Sequence, residues 1–135
     1  MDRLKPLARV ASGGELSRIM LAIKTVLAEI DRVPTLVFDE VDIGIGGKVA
    51  RLVGDRLKEM AGGRQVLCIT HLPQIATLAD SHYNIRKRSR QKRTILEVSR
   101  LEGGKRTEEV ARMLGGRTLT AATREHAAEM LRSGD

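Results

Sequence analysis

Two short apolar runs and the amphipathic stretch between them constrain the fold of this chain most strongly. "TLVF", residues 35–38, is a continuous apolar run of the kind that forms a strand covered on both faces, and "QVLCIT", residues 65–70, predicts a second buried strand. Strand, helix and strand in this order predict a parallel βαβ unit with a right-handed crossover. The intervening helix carries five apolar residues on one stripe: Val49, Leu52, Val53, Leu57 and Met60.

Polar side chains follow each strand. Asp39 and Glu40 come directly after the first strand, and Thr70 and His71 close the second. Parallel strands end at the same edge of a sheet, and open α/β sheets bind their ligands at the carboxyl edge. We therefore expect these side chains to share one edge of the sheet.

A second amphipathic helix precedes this unit, from about residue 14 to residue 30. It starts in "VASGGELSR", where Ser12 and Glu15 have the spacing of a capping box. The same helix start could bind an anion, because Gly13 and Gly14 leave the backbone N–H groups uncovered and Ser12 adds a hydroxyl. Glu15 would repel an anion unless its carboxylate turns aside. Six residues are expected to form one buried stripe: Leu16, Ile19, Met20, Ile23, Leu27 and Ile30.

The remaining segments complete a single predicted domain over residues 1–135. Residues 1–11 are expected to be an extended lead-in with three apolar residues, Leu4, Leu7 and Val10. A short helix over 72–79 and an antiparallel hairpin with strands over 82–88 and 94–101 follow the second strand. Two helices over 105–114 and 121–132 finish the chain, and Thr120 is the expected N-cap of the last one.

The charge of the chain favours a polyanionic partner. The formal net charge is +7, whereas an aromatic content of 1% argues against a stacking platform for single-stranded nucleic acid. The turn "RKRSRQKR" could contact DNA phosphates or be an ordinary solvated hairpin tip. Its basic residues are Arg86, Lys87, Arg88, Arg90, Lys92 and Arg93.

Composition also bears on location. The lone cysteine, Cys68, lies in an apolar strand and is expected to be a reduced core residue. The sequence contains no apolar run of transmembrane length and no signal peptide, which predicts a soluble intracellular protein without a membrane partner.

Three residues at the predicted sheet edge suit phosphate chemistry. Asp39 could hold Mg²⁺, directly or through water, and Glu40 could orient and deprotonate an attacking water. His71 could contact a γ-phosphate or help to hold that water. The alternative is structural, since such acids are often solvated or cap a helix and a lone histidine often only packs. "DIGIGGKV" is not a phosphate loop, because Asp42 and Val49 occupy positions that need Gly and Ser or Thr.

Taken in order, the motifs resemble the second half of an ATP-binding-cassette head. "ASGGELSRIMLAIK" is similar to the signature motif and its helix, "TLVFDEVDIGIGG" to the Walker B strand and D-loop, and "CITHLPQIATLAD" to the switch-histidine segment. The wording within these motifs is similar to that of the RecN DNA-repair ATPases, which are relatives of the SMC proteins. The resemblance runs from about Leu4 to Gly116.

The resemblance implies a role for each site residue. The signature segment, Ser12 to Glu15, would bind nucleotide, and Ser12, Gly13 and Gly14 would meet the γ-phosphate held by an opposite head. Asp39 would serve Mg²⁺, Glu40 the attacking water and His71 the γ-phosphate in cis. Asp42 would be the D-loop acid near the interface between two heads.

The resemblance also implies the wider assembly. The chain would be the α/β C-terminal lobe of a P-loop ATPase head of the ABC/SMC type. Its partners would be an N-terminal lobe with the Walker A loop, a second head in an ATP-dependent homodimer, and DNA. The function would be double-strand-break repair and recombination in the bacterial cytoplasm, in association with the nucleoid.

Neither a Walker A loop nor a coiled coil is present in the sequence. We therefore expect a fragment that cannot turn over ATP by itself, although the complete head would use ATP and Mg²⁺. Two alternatives remain open. One is a non-enzymatic nucleic-acid-binding module that uses the basic hairpin. The other is a complete small metalloenzyme built on Asp39, Glu40 and His71.

Overall fold

The computed structural model describes residues 11–28, 30–90, 93–116 and 118–134. The chain divides into two compact units, residues 1–75 and 76–135. The assignment of one domain to the whole chain stays a prediction. The apolar residues of the predicted lead-in, Leu4, Leu7 and Val10, lie outside the described residues.

The first unit contains the predicted βαβ arrangement. Strands β1 (Thr35–Phe38) and β2 (Gln65–Cys68) pair in parallel and are joined by helix α2 (Gly47–Ala61). Thr35 pairs with Gln65 and Phe38 with Cys68, so both strands end at the same edge of the sheet. Helix α1 (Gly13–Val26) precedes the strands, and a short helix α3 (Pro73–Ala76) follows them. The parallel βαβ core is therefore confirmed, with β2 and α3 shorter than predicted.

The core of the first unit lies between α2 and one face of the sheet. Eight residues form this core: Leu21, Leu36, Phe38, Val41, Val53, Leu57, Met60 and Ile75. Val49 and Leu52 are 52% and 57% exposed, so the predicted apolar stripe of α2 is buried only at Val53, Leu57 and Met60. The buried line of α2 also includes Ala50 and Gly54, which are small enough to lie close to the neighbouring elements.

Only one face of the two-stranded sheet is covered within the described residues. Leu36 and Phe38 are buried, whereas Val37 is 64% exposed and Leu67 is 49% exposed. Side chains alternate between the two faces of a strand, and burial of both faces needs a layer on each side. The prediction of strands covered on both faces was therefore wrong for this chain.

Helix α1 is shorter and more exposed than expected. It ends at Val26, and Leu21 is its only buried large apolar residue. The periodicity identified an apolar face correctly, but most of that face is not covered by the described residues. The six residues predicted as a buried stripe are all exposed: Leu16, Ile19, Met20, Ile23, Leu27 and Ile30.

The second unit combines a hairpin with a helix pair. Strands β3 (His82–Arg90) and β4 (Arg93–Leu101) are antiparallel and extend further into the basic run than predicted. Helices α4 (Gly103–Gly115) and α5 (Ala121–Arg132) pack around Val110, Ala111 and Ala127. The side chain of Thr120 accepts a hydrogen bond from the Thr123 N–H, which confirms the predicted N-cap. No helix among the described residues is long and apolar enough to cross a membrane.

Candidate functional site

The start of α1 is a capping box, as the sequence predicts. Ser12 Oγ accepts a hydrogen bond from the Glu15 N–H at 3.3 Å, and Glu15 Oε2 accepts from the Ser12 N–H at 2.8 Å. The Ser12 hydroxyl also donates to Glu15 Oε2 at 3.1 Å. The hydrogen bond from the Ser12 backbone, followed by that from its hydroxyl, lowers the pKa of Glu15. The Glu15 carboxylate thus lies against Ser12 and accepts hydrogen bonds from both its N–H and its hydroxyl, so it is not turned away from the helix start.

Two polar residues one turn further along tie α1 to the loop after β1. Ser17 Oγ donates to the carbonyl oxygen of Asp39 at 2.7 Å. One guanidinium nitrogen of Arg18 donates to the carbonyl oxygens of Val41, at 3.2 Å, and Ile43, at 2.8 Å. Sequence reasoning missed both residues, because periodicity treats them only as the polar side of an amphipathic helix.

The two glycines at the start of α1 allow the backbone to lie close to this loop. A Cβ atom on Gly14 would lie 2.9 Å from the carbonyl oxygen of Glu40 and 3.1 Å from Cβ of Ile43. A Cβ on Gly13 would overlap the carboxylate of Glu40. The glycine pair therefore has a packing role in addition to any role in exposing N–H groups. The structure brings the Ser12–Gly14 segment and Glu40 together.

The acidic pair after β1 occupies an unusual turn. Glu40 has φ of 60°, in the left-handed region, at a cost of about 1 kcal/mol for a residue with a Cβ. The Glu40 N–H donates to Asp39 Oδ1 at 2.8 Å, and both side chains are exposed. Backbone strain of this kind is concentrated at functional sites, where surrounding contacts hold it in place. Here the contacts of Ser17 and Arg18 with the same loop supply that support.

Asp42 joins this loop to the loop after β2. Its side chain is 4% exposed, and its Oδ2 atom lies 2.6 Å from Thr70 Oγ1, 2.8 Å from the backbone nitrogen of His71 and 2.9 Å from His71 Nδ1. Burial raises the pKa of Asp42, but the hydrogen bonds from Thr70 and His71 and the charge of His71 outweigh it, so the pKa is lowered. The Asp42 carboxylate thus faces its own chain, and its predicted place near a head interface stays a prediction.

His71 lies where the sequence placed it, beyond the end of β2. Its side chain is 71% exposed even though Nδ1 contacts Asp42. The ring is therefore anchored on one nitrogen and accessible elsewhere. Unit 1 thus contains the helix start, the acidic loop and His71, with side-chain hydrogen bonds from one segment to the next.

The donor chemistry of the acidic loop suits Mg²⁺ better than a protein-only metal cage. In the parts of the chain that the structure describes, no group of three His, Cys, Asp or Glu side chains could hold a metal ion. The alternative of a complete metalloenzyme built on Asp39, Glu40 and His71 therefore lacks its ligand cluster. Mg²⁺ is commonly held by one or two carboxylates, with water and phosphate oxygens completing its shell. An exposed Asp39 carboxylate fits that requirement.

Cys68 supports the sheet rather than the chemistry. Its side chain is half-buried against the core, and burial, with the charges of Asp42 and Asp39, raises the pKa of the thiol to about 12. A thiol with so high a pKa is a poor nucleophile at neutral pH. The expectation of a buried core cysteine was correct in kind, although the burial is partial.

The hairpin in the second unit separates its basic residues by face. Cross-strand partners share a face, so Arg86, opposite Glu97, lies on one side, and Lys87, opposite Leu96, lies on the other. Arg88 forms an ion pair with Glu97 at 2.8 Å, and Arg86 Nε donates to Asn84 Oδ1 at 2.9 Å. Three of the residues predicted to contact DNA have side chains outside the described set: Arg90, Lys92 and Arg93.

Curated relatives match nearly the whole chain. The DNA repair protein RecN of Treponema pallidum is 51% identical over 130 residues, which are 96% of this chain and 23% of that protein. RecN of Deinococcus radiodurans is 52% identical over 130 residues, or 96% of this chain and 22% of that protein. RecN of Bacillus subtilis is 45% identical over 134 residues, or 99% of this chain and 23% of that protein. The chain thus spans less than a quarter of the length of these relatives.

A solved structure has the same fold. It comes from a study of ATP-driven dimerization and DNA-stimulated activation of SMC ATPases, and it superposes with a TM-score of 0.57 at 21% identity, over 87% of this chain and 70% of that one. No family model matches the chain. The chain is therefore a counterpart of the C-terminal part of the RecN family of DNA repair proteins, and its fold is that of an SMC-type ATPase head.

Proposed function

We propose that this chain is the C-terminal lobe of an ATP-binding and ATP-hydrolysing head in a RecN-like protein of double-strand-break repair and recombination. One observation carries the proposal: the helix start, the acidic loop and His71 are linked in unit 1 by side-chain hydrogen bonds. Ser17 links α1 to Asp39, and Asp42 links the acidic loop to His71. The RecN relatives and the SMC-type fold support the same function.

In this proposal each residue of the acidic loop has a separate task. Asp39 offers an exposed carboxylate to Mg²⁺, which would neutralise phosphate charge when bound. Glu40 orients a water molecule and accepts its proton, as expected for a general base. His71, on the loop after β2, contacts Asp42 and presents an exposed imidazole.

The Ser12–Gly14 segment has a role that needs a second head. Its capping box organises the helix start, and a helix N-terminus is a favourable place for a phosphate. In a homodimer of heads this segment would meet the γ-phosphate held by the opposite head. The site would then be complete only when two heads engage.

Exposed apolar surfaces of unit 1 support the existence of an N-terminal lobe. On α1, Ile23 is 46% exposed and Val26 is 82% exposed, and on the sheet Val37 is 64% exposed. Soluble proteins rarely leave connected apolar patches uncovered. The relatives are more than four times as long as the matched segment, so a RecN-like protein has ample chain for that lobe and its Walker A loop. By itself the present chain should not hydrolyse ATP.

The test is Mg²⁺-dependent ATP hydrolysis by the chain alone and by the chain mixed with the N-terminal lobe of a RecN relative. Activity is expected only in the mixture. Glu40→Gln should abolish turnover while nucleotide binding persists, because the amide cannot accept the proton. Ser12→Arg should prevent productive pairing of heads. Asp55→Asn, on the exposed surface of α2, serves as the matched control.

Two results would contradict the proposal. One is robust hydrolysis by the pure chain that Glu40→Gln abolishes, because it would show a complete active site without the second lobe. The other is an inactive mixture in which sedimentation shows that the two lobes have associated. Retained activity in Glu40→Gln would remove Glu40 from the assignment.

DNA binding by the hairpin is the second candidate function. Arg86 and Arg88 lie on the same face of β3, two residues apart, which allows both to face one phosphate backbone. The ion pair of Arg88 with Glu97 reduces the charge available there. The observation that favours this function is the face of β3 that Arg86 and Arg88 share. The salt dependence of DNA binding tests it.

A further inference from the structure

We infer that Asp42 is a positioning residue for His71: its carboxylate fixes the imidazole as the Nδ1–H tautomer and leaves Nε2 as the ring nitrogen that meets substrate. This inference deepens the proposed function and rests on it for the reaction, although the tautomer itself can be measured without any nucleotide.

The geometry around one oxygen atom carries the argument. Asp42 Oδ2 lies within hydrogen-bond distance of Thr70 Oγ1, the His71 backbone nitrogen and His71 Nδ1, at 2.6, 2.8 and 2.9 Å. An ionised carboxylate only accepts hydrogen bonds, so each of these three atoms must carry a proton. The Thr70 hydroxyl and the His71 N–H do so in any case. At 2.9 Å, the third contact favours a neutral imidazole whose proton is on Nδ1, the form that can donate to the carboxylate.

The surroundings hold this arrangement in place. Asp42 is 3% exposed, so water does not readily replace its partners. The Thr70 hydroxyl also accepts a hydrogen bond from the Leu72 N–H at 3.0 Å, which fixes the turn that carries His71. A histidine whose backbone and ring are both bound to one buried carboxylate has little freedom to rotate. The imidazole is consequently pre-oriented before any ligand arrives.

The tautomer separates the two uses considered for His71. With Nδ1 protonated, the neutral ring has an unprotonated Nε2, which can accept a hydrogen bond from a water but cannot donate one to a phosphate oxygen. Donation to phosphate would require the imidazolium form. Neutral His71 is therefore a partner for the attacking water, beside the Glu40 that would deprotonate it.

The decisive experiment is a long-range ¹H–¹⁵N correlation spectrum of the ¹⁵N-labelled chain, recorded at a pH at which the imidazoles are neutral. The chain has three histidines, and His71→Gln identifies the His71 signals by their loss. We expect Nδ1 of His71 to be protonated and Nε2 unprotonated. The opposite pattern in the wild-type chain overturns the inference by itself.

Variants then test the cause. In Asp42→Ala the imidazole loses its carboxylate partner. The proton should then move from Nδ1 to Nε2, so that Nε2–H becomes the major tautomer. Asp55→Asn, which removes an exposed carboxylate on α2, should leave the pattern unchanged. Thr70→Val retains the carboxylate and should retain Nδ1–H, so an Nε2–H tautomer in a folded Thr70→Val chain overturns the inference even if Asp42→Ala does not fold. An Asp42→Ala chain with dispersed amide signals and an unchanged tautomer overturns the inference.

Kinetics of the reconstituted head test the consequence for the reaction. Asp42→Ala should lower kcat by at least about tenfold, because the His71 ring loses the carboxylate that orients it, with little change in the KM for ATP. An unchanged kcat alongside an altered tautomer overturns the positioning role. Wild-type lobes that associate without any hydrolysis count against the proposed function, whereas the tautomer measurement is independent of that result.

Discussion

The hydroxyl of Ser17, one turn into α1, donates a 2.7 Å hydrogen bond to the carbonyl oxygen of Asp39, the first residue after β1. This bond fixes the helix that starts with the Ser12–Gly14 segment against the loop that carries the acidic pair. Ser17 and Asp39 are 22 residues apart in the sequence. The relative position of the helix and the loop in the proposed site therefore depends on a side chain of the signature helix to which the sequence assigned no role of its own.

Ser17→Ala should lower the free energy of unfolding by about 1 kcal/mol, the net value of a typical intramolecular hydrogen bond. Urea denaturation of the chain measures this change. Ser99→Ala is the matched control, because Ser99 is exposed on β4 and loses the same hydroxyl. Equal stabilities for the two variants would show that the Ser17 bond contributes nothing to the fold.

Alanine substitutions at the two glycines of α1 should differ in cost. Gly14→Ala brings a Cβ against the Glu40 carbonyl and the Ile43 side chain and should destabilise the chain by about 1–3 kcal/mol. Gly13→Ala meets only the end of the Glu40 side chain, which can move aside, so its cost should be smaller. Gly63→Ala has open space around its Cβ and is the control. A Gly13 variant less stable than the Gly14 variant would contradict this packing.

Glu109→Gln should destabilise the second unit at neutral pH by about 1 kcal/mol or more. Glu109 is 7% exposed and accepts hydrogen bonds from Arg112, including one of 2.6 Å. The hydrogen bond from Arg112 lowers the pKa of Glu109, although burial opposes it. A lowered pKa in the folded state means that this stabilisation is present above the unfolded value of about 4.3 and is lost as the pH falls through the folded value.

The measurement for Glu109 is thermal or urea unfolding of both chains at several pH values. The difference in the free energy of unfolding between wild type and Glu109→Gln should become smaller below about pH 4, where the Glu109 carboxyl of the wild type becomes protonated. Glu108→Gln, at the exposed neighbouring position, controls for the loss of one charge. If this difference in the free energy of unfolding stays constant down to strongly acidic pH, ionisation of Glu109 does not contribute to the stability of the fold.

DNA binding, if the hairpin provides it, should depend on one face of β3. Replacing Arg86 and Arg88 together with Gln should reduce the salt dependence of binding, with a change in the log–log slope of about 2 for two lost phosphate contacts. Lys87→Gln, on the opposite face, is the matched control. Glu97→Gln should strengthen binding, because it releases Arg88 from its ion pair.

Fluorescence anisotropy with a labelled duplex, over a series of salt concentrations, gives these slopes. Equal losses of DNA affinity in Lys87→Gln and in the Arg86 and Arg88 double variant would indicate a diffuse electrostatic attraction of DNA to the basic chain. No loss in either variant would leave the hairpin as a solvated structural element.

The Cys68 thiol should react slowly with a disulfide reagent in the folded chain. Its pKa of about 12 lies well above the ordinary value of about 8.5, so the thiolate fraction at neutral pH should be lower by a factor of at least about 100. Reaction with Ellman's reagent in buffer and in guanidinium chloride measures the difference. Equal rates in the two solvents would show that the strand around Cys68 does not protect it.

The sequence predicted those features that depend on local pattern or chain order. The parallel pairing of Thr35–Phe38 with Gln65–Cys68 follows from strand, helix and strand. The capping box of Ser12 and Glu15 follows from their spacing. The capping box is a local signal, whereas the strand pairing is long-range but follows from the order of the elements, and each was confirmed by hydrogen bonds in the structure.

Burial and tertiary hydrogen bonds were predicted less well. Periodicity shows that Ile23 lies on an apolar face, but it cannot show what covers that face, and Ile23 is 46% exposed in this chain. The contacts of Arg18 with the acidic loop and of Asp42 with Thr70 and His71 join residues 23 to 29 positions apart. Such contacts depend on how the loops fold over the sheet edge, for which a single sequence has no local signal.

The guanidinium of Arg18 spans the carbonyl oxygens of Val41 and Ile43, the two residues on either side of Asp42. The helix and the buried carboxylate are thus attached to opposite sides of one short turn, and His71 is attached to that carboxylate in turn. A docking partner that pulls on α1 must therefore either move the turn and the imidazole with it or break both bonds of the Arg18 clamp. A displacement of α1 by another subunit would therefore be transmitted through the turn around Asp42 to the imidazole of His71.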